Sequence, residues 1–182
     1  MRRYTGYRDF IQRDQRLLVG TALLLTGSHD QALRLALWSL RSVGLSWPPT
    51  LWENPTVHAQ VTMYRRYLRR PVTTRATALL RLPPVRRVIA VACLHDGRTH
   101  EEVATILGLS QEAVETEVAE AVAVLGEAYL ARLAEHGHAG LLDRSLLRPF
   151  EIEQECRELI YAARHLPRWR YAPMGVLRSR YP

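Results

Sequence analysis

The stretch that decides the fold is residues 96–110, which read DGRTHEEVATILGLS. Thr99 is a favourable N-cap residue, and Glu102 stands three positions later, which is the pattern of a capping box. Gly108 supplies a tight turn after a short helix, and Ser110 can cap the helix that follows. Two helices joined by such a turn form the DNA-binding helix-turn-helix arrangement, and an ordinary helical hairpin is the alternative.

Helical periodicity extends outward from this stretch over most of the 182 residues, and strand signals are nearly absent. The sequence therefore predicts an all-α fold. Proline and glycine divide the chain, with a loop over residues 45–55 and a short linker near residues 72–77. Helices are predicted over residues 7–26, 28–43, 56–70, 75–81, 85–94, 99–107 and 110–134, with two short helical pieces between residues 143 and 166.

The chain carries a net charge of +7, and all its basic side chains are arginine apart from seven histidines. A basic balance favours a polyanion or an acidic protein surface as partner. Cys93 and Cys156 have no metal-ligand neighbours at a suitable spacing, so we expect no metal site and no cofactor. No glycine-rich phosphate loop is present and nothing places a catalytic triad, so we do not expect an enzyme.

The longest apolar stretch, residues 17–25, is too short to span a bilayer, and the charged N-terminus leads into no signal core. We therefore expect a cytoplasmic protein without a membrane partner.

Several motifs resemble those of extracytoplasmic-function sigma factors, the bacterial transcription factors of the sigma-70 type. Residues 82–84, Leu-Pro-Pro, followed by a helix and then residues 96–110, resemble region four of that family. The Leu-Thr-Gly turn at residues 25–27 resembles the turn ahead of the polymerase-binding helix of region two. Asn54-Pro55 before a helix with a basic end resembles the promoter-facing helix.

The resemblance covers about residues 7–128 and implies two modules. Residues 1–71 would form a region-two-like helical module, and residues 72–128 a region-four-like helix-turn-helix module. The sequence adds a third part beyond the family plan, because residues 129–182 are predicted to form a helical extension with a basic aromatic tail.

The resemblance also implies roles for individual residues. One set would face RNA polymerase: Asp30, Gln31, Arg34, Leu35 and Trp38. A second set would face DNA, with the tyrosines stacking on unpaired bases: Tyr64, Arg65, Arg66, Tyr67, Arg69 and Arg70. The helix-turn-helix would recognise its target through Thr99, Gln111, Glu112 and Glu115. A solvated helix surface is the alternative for the arginine run.

Three departures from the family bear on function. The predicted recognition helix has five glutamates and no arginine between residues 110 and 128, whereas DNA binding depends on cationic contacts. The linker is short, which predicts that the two modules pack on each other. The first module lacks the family's usual polar residues near positions 32–36 and 59–63.

The C-terminal tail alternates arginines with aromatic residues. This composition suits nucleic acid, a protein interface or packing back onto the modules. The candidate contacts there are Arg168, Trp169, Arg170 and Tyr171.

The sequence thus predicts a sigma-factor-like transcription regulator that binds RNA polymerase, promoter DNA or both. The alternative is a degenerate sigma fold that acts as a protein-interaction module and binds another regulatory protein or a second copy of itself. If DNA is bound, we expect residues 65–70 or the tail to bind it.

Overall fold

The computed structural model describes residues 6–47, 54–71, 76–141, 145, 152–154 and 156–161. These residues contain helices and turns and no strand, which confirms the all-α prediction. The helices are α1 (Tyr7–Thr26), α2 (His29–Leu45), α3 (Pro55–Arg69), α4 (Ala78–Arg81), α5 (Pro84–Ala90), α6 (His100–Leu107) and α7 (Gln111–Glu135). A π-helical turn, Val91–His95, continues α5, and Ala139–Leu141 form a 3-10 turn.

Packing divides the chain into two units, residues 1–129 and residues 130–182. The first unit holds α1 to α6 and most of α7. In the second unit, residues 152–154 and 156–161 are helical, and Arg157 forms an ion pair with Glu153 at 2.6 Å. No helix in the described ranges is long and apolar enough to cross a membrane.

The core of the first unit forms where α1 packs against α2 and α3. Helix α1 places Phe10, Leu18, Ala22 and Leu25 on one buried face, because residues at this spacing share a side of a helix. The same core cluster includes residues on both sides of the predicted boundary at residue 71: Leu40, Met63, Tyr64, Val88, Ile89, Val103 and Val114 are among them. The assignment of residues 1–71 and 72–128 to two functional modules stays a prediction.

Gly27 shows why α1 ends where the sequence predicted. Its φ of 66° lies in the left-handed region, and its N–H donates to the carbonyl of Leu23 at 2.7 Å. A Cβ atom at this position would lie 2.2 Å from Cδ1 of Leu80 in α4. Gly27 therefore allows both the helix end and the close approach of α4.

Gly44 corrects a predicted boundary. The sequence predicted that Gly44 ends the second helix near Val43, but α2 continues to Leu45. A Cβ atom on Gly44 would lie 2.8 Å from the hydroxyl oxygen of Tyr7, which donates to the carbonyl of Leu40 at 2.6 Å. The glycine makes room for Tyr7 and does not break the helix.

Arg87 is a buried cation at the ends of two helices. It is only 2% exposed. Its guanidinium donates to the carbonyl of Leu25 at 3.2 Å, near the end of α1, and to the carbonyl of Leu82 at 2.9 Å, after α4. It also donates to the carbonyl of Leu80 and to the hydroxyl of Tyr67. A cation is favoured at the negative end of a helix, so Arg87 ties α1, α3 and α4 together.

Replacement of Arg87 by methionine is expected to lower the free energy of unfolding by about 3 kcal/mol, because several buried carbonyl oxygens lose their donor. Arg81→Met, at an exposed arginine of α4, is the matched control and should cost less than about 0.5 kcal/mol. Urea unfolding followed by circular dichroism measures both variants. Equal losses would contradict a structural role for Arg87.

Candidate functional site

A groove between α2 and α3 brings two predicted surfaces together. It encloses about 360 Å³. Its walls are formed by Thr26, Gln31, Arg34, Leu35, Trp38, Arg66, Tyr67 and Arg70. Four of the five residues predicted to face polymerase lie here, together with three of the six predicted to face DNA. Asp30 is exposed on α2 but does not line the groove.

Arg66 and Trp38 make the direct contact across the groove. The guanidinium carbon of Arg66 lies over the indole ring at 4.9 Å from its centroid. Such a cation–π contact contributes about 0.5–1 kcal/mol at an exposed site. Because Trp38 is 37% exposed, the pair forms an ordered surface that solvent or a ligand can reach.

The groove is strongly basic. Arg34, Arg66 and Arg70 line it without a carboxylate among the lining residues. In the described part of the chain, none of these three guanidinium groups has an acidic partner within ion-pair distance, whereas Arg13 and Arg132 pair with neighbouring acids. Arg65 and Arg69 are exposed on α3, and they extend the basic surface beyond the groove.

Tyr64 and Tyr67 require a correction. They were predicted to stack on unpaired bases, but Tyr64 is 0% and Tyr67 is 2% exposed. Gln60, Met63, Tyr64 and Tyr67 follow one face of α3 at helical spacing, and that face packs into the core. This periodicity was readable in the sequence and should have separated the tyrosines from the exposed arginines.

The sequence did not reveal that Asp96 joins the helix-turn-helix to the first helices. Its side chain is fully buried. One carboxylate oxygen accepts a hydrogen bond from Thr21 of α1 at 2.7 Å and lies 2.8 Å from Nδ1 of His95. The other oxygen accepts from the hydroxyl of Tyr64 in α3. Asp96, in the turn before α6, therefore has a structural role.

Arg98 adds a second connection from the same turn. Its guanidinium donates to the side-chain oxygen of Gln60 in α3 at 2.9 Å, and it lies 3.6 Å from the carboxylate of Glu102. The guanidinium of Arg98 is therefore engaged in contacts inside the first unit.

The predicted local geometry of the helix-turn-helix is confirmed. The Thr99 hydroxyl accepts from the backbone of Glu102 at 3.1 Å, and the Glu102 carboxylate accepts from the backbone of Thr99 at 2.8 Å. Gly108 has a φ of 69°, and Ser110 accepts from the backbone of Ala113 at 3.2 Å. Thr99 thus has a capping role, and its recognition role stays a prediction.

The predicted recognition surface on α7 is exposed and acidic. Gln111, Glu112 and Glu115 lie in solvent, and the amide of Gln111 donates to Glu115 at 2.8 Å. His100 of α6 lies 3.6 Å from the same carboxylate. This surface offers acceptors to a partner and no arginine.

Arg86 of α5 holds the next part of α7. Its guanidinium pairs with Glu117 at 2.5 Å and with Glu120. These two glutamates therefore serve the packing of α7 on α5.

The predicted tail contacts Arg168, Trp169, Arg170 and Tyr171 lie outside the described residues. Within the described ranges, no group of three or more histidine, cysteine, aspartate or glutamate side chains could hold a metal ion.

Comparison with known proteins finds short similarities only. Over 50 residues the chain is 50% identical to a glucosamine kinase of Mycolicibacterium smegmatis. The matched stretch covers 28% of this chain and 12% of the kinase. Over 47 residues the chain is 47% identical to a glucosamine kinase of Streptacidiphilus jiangxiensis, which covers 26% of this chain and 11% of the kinase. The chain thus matches about an eighth of the length of these curated relatives.

No protein-family profile matches the chain, and no solved structure matches it. The kinase similarities are too short to show membership of a family.

The buried contact between Tyr64 and Asp96 predicts a loss of stability at alkaline pH. Burial, together with the adjacent carboxylate of Asp96, raises the pKa of Tyr64 well above its usual range. In the unfolded chain the hydroxyl ionises near pH 10. The stability that depends on the protonated hydroxyl is therefore complete below about pH 10 and falls as the pH rises further.

Tyr64→Phe tests this expectation. The variant should be less stable at pH 8 by about 1–3 kcal/mol, because Asp96 loses a donor. Its stability should then fall less steeply than that of the natural chain between pH 9.5 and 11. Urea unfolding at a series of pH values measures both effects. Parallel curves over that interval would show that Tyr64 does not cause the alkaline loss.

Proposed function

We propose that the chain is a sigma-factor-like transcription regulator of the cytoplasm, which binds RNA polymerase, promoter DNA or both. The observation that carries the proposal is the convergence of the two predicted contact surfaces in one basic groove between α2 and α3. The sequence resemblance assigns one wall of this groove to polymerase and the other to DNA. Arg65 and Arg69, beside the groove, would extend the contact along a phosphate backbone.

The expected mechanism is binding without covalent chemistry. Each phosphate that an arginine neutralises releases condensed counterions, which makes the affinity dependent on salt. An acidic helix cannot supply this neutralisation. We therefore assign the DNA contact to α3, where the arginines are exposed, and do not assign it to the N-terminal end of α7.

A second candidate function is favoured by the acidic surface of the helix-turn-helix. Glu112 and Glu115 are exposed there, and Glu101 of α6 is exposed as well. Such a surface suits a basic protein partner, which it would attract by long-range electrostatics. The chain would then be a protein-interaction module that binds another regulator or a second copy of itself.

The proposal predicts a salt-dependent affinity for duplex DNA that depends on α3. Arg69→Glu combined with Arg70→Glu should weaken binding about tenfold or more. If both arginines contact phosphates, the slope of log affinity against log salt should become shallower by about 2. Fluorescence anisotropy with a labelled duplex between 50 and 300 mM salt measures both quantities.

Arg8→Glu combined with Arg16→Glu is the matched control, because it makes the same change of net charge at exposed positions of α1. A similar loss in this control would mean that only net charge matters. A pull-down with purified RNA polymerase core separates polymerase binding from DNA binding alone. Absence of binding to both DNA and polymerase would exclude the sigma-like proposal.

The protein-interaction alternative predicts that binding depends on the glutamates of α7, whereas the first proposal predicts that it depends on the arginines of α3. Glu112→Arg combined with Glu115→Arg should abolish self-association, measured by sedimentation velocity, if a second copy is the partner. The same double change should leave polymerase binding intact under the first proposal.

A further inference from the structure

We propose that the groove between α2 and α3 binds a nucleoside polyphosphate, with the phosphates on Arg34, Arg66 and Arg70 and the base against Trp38. This inference concerns a small-molecule ligand and does not depend on the sigma-like role. It requires no glycine-rich loop, because the arginine side chains supply the donors for the phosphates.

The size of the groove suits a ligand of this class. Small-molecule sites commonly enclose about 300–1,000 Å³. The groove encloses about 360 Å³, and it lies between two helices that belong to one packed core. Rigid helices on both sides would hold the binding groups in place before a ligand arrives.

The charge of the groove calls for an anion with several negative groups. Three guanidinium groups surround it, and none has a carboxylate partner in the described part of the chain. Like charges that line one groove repel one another, and a polyphosphate between them would remove the repulsion. Each guanidinium can also donate two parallel hydrogen bonds to one phosphate, whereas the ammonium group of a lysine lacks this planar, forked geometry.

The contact between Arg66 and Trp38 orders one of these guanidinium groups before a ligand binds. The indole holds the guanidinium carbon of Arg66 at 4.9 Å from the ring centroid, so part of the entropy cost of ordering that side chain is already met in the free protein. An arginine stacked on an aromatic ring keeps its edge donors available, because stacking uses only the flat surface of the guanidinium.

The remaining walls favour a nucleotide over free phosphate. Leu35 and the exposed part of Trp38 provide an apolar surface beside the arginines. A base of any type can stack on an aromatic side chain, and each such contact contributes about 1–3 kcal/mol. Because Arg66 lies over one face of the indole, the base would use the opposite face. The amide of Gln31 offers both a donor and an acceptor to the edge of the base.

Occupation of the groove would have a consequence for macromolecular partners. Arg66 and Arg70 lie both in the proposed nucleotide site and in the surface proposed to contact DNA. A bound nucleotide would therefore compete with a polyanionic partner for these cations.

The test is isothermal titration calorimetry of the full chain with ATP, inorganic tripolyphosphate and adenosine, in buffer without divalent cations. We expect ATP to bind about tenfold or more tightly than tripolyphosphate, and adenosine to give no measurable heat at the same concentrations. Failure of ATP to bind at millimolar concentration would overturn the proposal. Equal affinity for ATP and tripolyphosphate would also overturn it, because the base would then contribute nothing.

Variants assign the contributions to individual side chains. Trp38→Leu keeps an apolar residue but removes the ring, and it should weaken ATP about tenfold. It should weaken tripolyphosphate clearly less, because that ligand loses only the ordering of Arg66 and no stacking contact. Trp38→Phe should restore most of the ATP affinity. Arg34→Gln should weaken both phosphate ligands, whereas Arg16→Gln, an exposed arginine of α1 outside the groove, should change neither. An unchanged ATP affinity in Trp38→Leu, or an equal loss in Arg34→Gln and Arg16→Gln, would overturn the assignment.

The two proposals fail separately. If ATP binds as expected but DNA and polymerase do not, the nucleotide site stands and the sigma-like function is wrong. If DNA or polymerase binds through α3 but ATP does not, only the nucleotide site is wrong.

Discussion

The buried carboxylate of Asp96 is the interaction on which the arrangement of the first unit depends. It accepts hydrogen bonds from Thr21 in α1 and Tyr64 in α3, and it lies beside His95 just before the helix-turn-helix. A carboxylate without exposure to water is costly unless donors surround it. The donors come from two helices that precede Asp96 by 75 and 32 residues, so the carboxylate is stable only when those helices and the turn have come together.

This constraint explains why the helix-turn-helix completes the core that α1, α2 and α3 begin. With Asp96 held in place, Val103, Ala104 and Val114 pack in the same cluster as the residues of the first helices. Arg87 of α5 makes a second set of connections, because its guanidinium donates to backbone carbonyls at the ends of α1 and α4 and to the hydroxyl of Tyr67 in α3. Described residues on both sides of the predicted linker, such as Tyr67 and Val88, therefore belong to one core.

The sequence predicted the features that local chemistry determines. The extent of α1, the capping box at Thr99 and the turn at Gly108 depend on residues a few positions apart, and the structure has all three. It did not predict the burial of Asp96 or Arg87, because each depends on partners from helices that are distant in sequence. The wrong placement of Tyr64 has a different cause, because the helical spacing within α3 already separates the buried tyrosines from the exposed arginines of the same basic aromatic run.

The described arginines of the first unit differ in whether they have acidic partners. Near the helix-turn-helix, Arg86 pairs with Glu117 and Glu120, and Arg98 contacts Gln60 and Glu102. These cations hold the motif together and are not available to phosphates without breaking those contacts. In the groove the situation is reversed, because its three arginines have no carboxylate partners among the described residues.

Among the described residues, an external anion at the α2–α3 groove would meet arginines without displacing an existing ion pair. At α7 it would meet exposed glutamates and would have to compete for arginines that are already paired. The caps and the glycine turn between α6 and α7 match the predicted motif, but the arginines near it are engaged in contacts within the first unit and the start of α7 exposes glutamates. Under the proposed function, we therefore place the contact with a polyanion on α3, which precedes the motif in the sequence.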